Sequence, residues 1–150
     1  MRTRLGTLVI TLILLTAAVA FSQVTWDNDS GDGEWFTAIN WSGNAVPNAA
    51  TNVLIQTGNT INVAFNAVVN NFTMSGGTLN GGVNIDINGN VNYTGGSRNV
   101  TSRMVNSVGR TFSTSVAAGN VRIAGSGAVQ ITSSGSLGSL IFEAGASSTV

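Results

Sequence analysis

Cysteine and histidine are both absent from this 150-residue chain. Without cysteine there is neither a disulfide nor a thiolate nucleophile, so the fold must be held by hydrogen bonding and burial. Without histidine the commonest general base, the commonest metal ligand and the ordinary Ser-His-Asp triad are excluded together. Lysine is absent as well, so no polybasic membrane patch can form. Charged residues make up only 8% of the chain. After Ser22, Arg98, Arg103, Arg110 and Arg122 stand against Asp27, Asp29, Asp32, Glu34, Asp86 and Glu143, a net charge of −2. That balance lacks the basic footprint of a nucleic-acid binder. Helix signals are weak beyond residue 22, because Gly, Asn, Ser and Thr recur too often for a 3.6-residue apolar stripe to persist.

One long apolar run is present, and it lies at the start. Arg2 and Arg4 precede the 13-residue stretch Leu8–Ala20, and small residues follow at Ala18, Ala20 and Ser22. A membrane span needs about 20 apolar residues, and polar FSQVTWDND follows at once. The expectation is a cleaved signal peptide over residues 1–22, with Gln23 as the first mature residue. No cysteine stands at the cleavage site, which excludes the usual lipoprotein anchor. The mature chain is then expected to be secreted or displayed at the cell surface, with no membrane insertion after cleavage.

Short alternating strands are abundant. Val53-Leu54-Ile55, Phe72-Thr73-Met74, Val83–Ile87, Val91-Asn92-Tyr93, Val121-Arg122-Ile123 and Leu140-Ile141-Phe142 place apolar side chains on one face. Gly and Asn, which bend the backbone sharply at little cost, sit between them. The segments beginning at Phe72, Val91, Val121 and Leu140 resemble one another, with separations of 19, 30 and 19 residues. One rung of a parallel β-helix takes about 20 residues. The pattern therefore predicts an all-β, right-handed parallel β-helix of about five rungs over residues 51–150. An insertion over about 96–118, carrying Arg98, Arg103 and Arg110, would leave the rungs as a loop or lateral hairpin. A β-sandwich is the alternative, since eight or so short strands with turns also satisfy it. The chain ends at GASSTV within a strand-turn pattern, so the expectation is a piece of a longer protein.

Residues 23–50 differ in character from the strand-rich stretch after them. They hold Trp26, Trp35, Trp41 and Pro47, the only proline, together with four of the six carboxylates. Three indoles with few aliphatic neighbours predict a cap that buries its rings over the first rung, near Val53 and Ile55. Such a cap would cover an edge that otherwise invites aggregation.

Trp26, Asp32-Gly33, Trp35, Asn40-Trp41, Pro47, Val53–Ile55 and Gly58…Val63 follow a W…DG.W…NW…P pattern leading into a strand. Later, NNFTMSGGTLN matches a recurrent rung. In these features residues 26–93 resemble the N-terminal region of bacterial secreted and surface β-helix proteins, including autotransporter-passenger-like and Bacteroidetes-type adhesin chains. The resemblance implies export across both bacterial membranes, guided by a C-terminal sorting domain, to an extracellular, outer-membrane-associated location. It implies no catalytic residue.

Asp27, Asp29, Asp32 and Glu34 cluster in eight residues, an oxygen-rich run of the type calcium favours. Their spacing does not fit an EF-hand loop, and a solvated turn is the stronger reading. No metal site, catalytic residue or cofactor site is therefore assigned, and calcium at Asp27, Asp29 and Asp32 is kept as the one weak cofactor expectation. Asp86 and Glu143 stand alone, which gives no carboxylate pair for glycoside hydrolysis. Trp26, Trp35, Trp41 and Tyr93 are the candidates for stacking on a sugar, against the stronger reading that they pack the cap. The expected function is a non-enzymatic, structural or adhesive segment of a larger bacterial surface protein, with glycans or host and cell-surface proteins as partners. The alternative is a carbohydrate-binding or carbohydrate-processing β-helix whose site lies beyond Val150.

Overall fold

The computed structural model describes residues 22–56, 58–105, 108–143 and, in backbone, 146–149. The expected signal peptide lies outside them except for Ser22. Among the described residues eleven strands follow in chain order: β1 (Ser22–Thr25), β2 (Thr51–Ile55), β3 (Thr60–Asn62), β4 (Ala67–Val69), β5 (Phe72–Ile87), β6 (Val91–Met104), β7 (Arg110–Thr114), β8 (Asn120–Ile123), β9 (Gly127–Ser133), β10 (Ser139–Phe142) and β11 (Ala146–Thr149). A single 3-10 turn, Ala38–Asn40, is the only helical element among the described residues. Every strand pairing is parallel. A sandwich would pair its strands antiparallel, so the fold is a parallel β-helix of about five turns.

Register divides each rung into three faces. The first face stacks β1, β2, the start of β5, the start of β6, β7, β9 and β11, aligning Val24, Val53, Phe72, Val91, Phe112 and Ile131. The second stacks β3 on the middles of β5 and β6, aligning Ile61, Leu79 and Arg98. The third stacks β4, the ends of β5 and β6, β8 and β10, aligning Ala67, Ile85, Ser102, Val121 and Leu140. Alternation along each strand sends these columns inward. Most of them are fully buried, as are Ile55, Val69, Ile87 and Met104.

Phe72 pairs with Val91, and Val121 with Leu140, at the expected 19-residue spacing. The step between Val91 and Val121 differs from expectation. Val91 pairs with Phe112 on the first face, whereas Val121 pairs with Ser102 on the third. Residues 97–104 continue β6 in register with β5, and 110–114 form β7. Among the described residues of 96–118 there is thus no lateral insertion; 97–104 complete one rung and 110–114 begin the next. Its polar inward residues hid the alternation. Arg98 and Ser102 occupy positions that Leu79 and Ile85 hold one rung earlier.

Tyr93 explains how polar groups are accommodated there. Its ring is buried and lies under the Arg98 guanidinium, 3.8 Å from ring centroid to Cζ. Its hydroxyl lies 2.6 Å from Ser102 Oγ. Burial pushes the phenol up to about 12 despite the Ser102 bond and the Arg98 charge. Arg98 donates to the Gly95 and Ala117 carbonyls, which close the corner around it.

The first rung is covered by the tryptophan segment. β1 adds a partial rung above β2, and Trp26 bridges antiparallel to Trp41. The rings form one aromatic column: Trp26 meets Trp41 at 5.0 Å, Trp41 meets Trp35 at 4.7 Å, and Trp35 meets Phe72 at 6.3 Å. Phe72 then meets Tyr93, and Tyr93 meets Phe112. The cap is therefore continuous with the core.

Candidate functional site

The four residues considered for sugar stacking do not offer a surface. Trp26, Trp35, Trp41 and Tyr93 are all at 0–1% exposure. Their ring area is worth more against other rings than in water, and the structure corrects the stacking assignment accordingly.

The acidic stretch is also engaged internally. Buried Asn40 is its hub. Asn40 Oδ1 accepts from Ser30 N and Oγ, and Asn40 Nδ2 donates to Asp32 Oδ1 at 2.5 Å and to the Glu34 carbonyl. Asp32 accepts further bonds from Glu34 N and Thr37 Oγ1. These donors, the Glu34 amide first, hold the Asp32 carboxyl well below the usual carboxylate range. Both Asp32 oxygens thus tie the turn to itself. Among the described residues no three carboxylates come together as a metal cage.

A pH dependence follows. A depressed folded-state value contributes stability above the ordinary Asp range, and that contribution is lost as pH falls from about 4. Asp32→Asn should therefore lower the urea midpoint at neutral pH and narrow its gap to wild type at pH about 3. Equal gaps at both pH values would show that the Asp32 charge is not what holds the turn.

Two features remain open to partners. The first is the outward side of the first face. Asn52, Asn71, Asn90, Thr111 and Gln130 follow one column. Leu54, Thr73, Asn92, Ser113 and Thr132 follow a second. The residues just past the strand centres, Gln56, Ser75, Thr94, Ser115 and Ser134, are exposed beside them. No charged residue stands in this array. Asn52, Asn71 and Asn90 are partly occupied, because each accepts from an amide group of the next rung. The second column carries the free hydroxyls and amides, repeated about 4.8 Å apart.

The second feature is the corner between the second and third faces. Phe65 projects there at 72% exposure and meets Phe36 of the cap edge to face at 5.8 Å. Ile39 is exposed as well. An exposed aromatic pair is informative where three tryptophans are buried. Sequence reasoning missed it, because Phe65 carries no signal in NVAFNAV that separates it from a core residue. Further along this corner the chain steps inward. Three residues, 81–83, turn the corner in one rung, but Val100 alone turns it in the next. The step leaves a recess of about 160 Å³ lined by Gly82, Arg98, Asn99, Val100, Thr101, Gly119 and Asn120.

Charges elsewhere on the third face are paired. Arg103 bonds Asp86 and Glu143, and Arg122 lies 3.1 Å from Glu143. The Arg103 bonds hold Glu143 below its usual range. No helix among the described residues is long and apolar enough to cross a membrane. No family model, curated protein or solved structure matches this chain.

Proposed function

We propose that this chain is an exported structural and adhesive β-helix segment of a larger bacterial surface or secreted protein, with no catalysis of its own. The observation that carries the reading is the uncharged Thr, Ser and Asn array on the first face. Each hydroxyl or amide offers a weak hydrogen bond to a partner. Repetition over successive rungs adds these bonds along an extended neutral polymer, as linked sites add in multivalent binding. Such a surface acts by display on a rigid rod. The exposed Phe36–Phe65 pair favours carbohydrate binding as the more specific form of the same reading.

The test screens the purified chain against immobilised polysaccharides and bacterial cells. Reducing ends and the absorbance of unsaturated products are followed alongside. Retention without turnover is expected, and Thr73→Glu with Ser113→Glu should reduce it, since both charges would lie on the second column. Turnover would overturn the non-catalytic reading. Turnover that survives joint replacement of Asp27, Asp29, Asp32 and Glu34 by alanine would place a catalytic centre elsewhere. Failure to bind any glycan or cell would overturn the adhesive reading.

A further inference from the structure

Arg98 is a cation with no carboxylate against it. The ion pairs among the described residues join Arg103 and Arg122 to Asp86 and Glu143, and none includes Arg98. Its guanidinium donates to the Gly95 and Ala117 carbonyls, and its Nε is buried without an acceptor. Backbone carbonyls orient the group but do not neutralise it. A partly desolvated charge in that position projects a field that water screens poorly.

Arg98 also lines the corner recess, and the rest of the lining suits an oxygen-rich guest. Thr101 and Asn120 make no side-chain hydrogen bonds to the described residues. Asn99 donates to Asn80 and keeps its own oxygen available. Gly82 also lines the recess, with nothing within 4 Å of where a Cβ would point. We propose that this recess binds a carboxylate-bearing sugar unit of an acidic polysaccharide. Arg98 supplies a fixed positive field, while Asn99, Thr101 and Asn120 meet the carboxylate and ring hydroxyls. The exposed Phe65 on the same corner offers a hydrophobic face to neighbouring sugars of the chain. This site is independent of the neutral array and stands even if that array binds nothing.

The experiment compares polygalacturonate with its fully methyl-esterified form, using the purified chain. The acid form should bind, and the ester should bind about tenfold more weakly, because the charge is lost while the shape is kept. Salt at about 0.5 M should weaken the acid form alone. Asn120→Ala should reduce binding of the acid form. Gly82→Asn, which keeps a residue tolerant of the φ of +63° found there, should also reduce it by filling the recess. Arg98→Met should do the same, and the two milder variants keep the test open if Arg98→Met does not fold. Asn120→Ala and Gly82→Asn should leave retention on neutral polysaccharides unchanged, which separates this site from the first face. Equal binding of acid and ester, no binding of the acid, or wild-type affinity in both Asn120→Ala and Gly82→Asn would overturn the proposal.

Discussion

Trp41→Ala is expected to destabilise the chain by about 3–5 kcal/mol, the range for truncating a fully buried aromatic. Trp41 is fully buried and stands between two partners, Trp26 and Trp35, each edge to face with it. Its Nε1 donates to the Trp35 carbonyl at 2.7 Å. Alanine removes both ring contacts and leaves that carbonyl without its donor. The loss is a large share of a typical domain stability of about 5–15 kcal/mol. Urea unfolding followed by far-ultraviolet circular dichroism measures it. In a stack where each rung touches only its neighbours, the cap end should open first and broaden the transition. A loss below about 0.5 kcal/mol would mean that the ring contributes no more than a surface residue.

The second large effect is expected at a bend. Gly96 turns the chain between the first and second faces with φ at +78°. A Cβ there would lie 2.5 Å from Met74 Cε and 2.7 Å from the carbonyl oxygens of Gly76 and Gly77. Methionine can move; two backbone carbonyls of the adjacent rung cannot move without parting the strands. Gly96→Ala should therefore cost about 2–4 kcal/mol, combining left-handed strain with overpacking. Gly31→Ala is the control, because Gly31 has a similar φ of +75° and nothing within 4 Å. It should show the strain alone, about 1–2 kcal/mol. Equal losses at the two sites, read from urea midpoints, would show that the rungs yield at the Gly96 corner.

Much of this architecture is legible in the sequence, and the parts that are not have physical reasons. The 19-residue returns from Phe72 to Val91 and from Val121 to Leu140 follow from apolar residues that must stack in columns. The burial of Trp26, Trp35 and Trp41 follows from indoles beside an open rung. The middle of the chain misleads because GNVNY and GNVRI look alike but belong to different faces. A local string records that a strand begins after a bend, not which of three bends it follows. The inward placement of Arg98 and Ser102 is equally silent, since polar residues at those spacings read as solvent-facing. The recess depends on a corner of three residues lying above a corner of one, a difference visible only once register is fixed.

The return of the chain to the same column has a consequence for how its length can vary. Phe72 and Val91 occupy the same point of successive rungs, and so do Val53 and Phe72. Excising or duplicating one such unit rejoins equivalent positions, so columns, bends and cap stay aligned. Gain or loss of a single residue within a strand instead turns its inward side outward. Gene-level duplication in whole units is therefore the one cheap route to a longer or shorter rod. The reach of the outward face is then set by copy number, while its chemistry is set residue by residue within each copy.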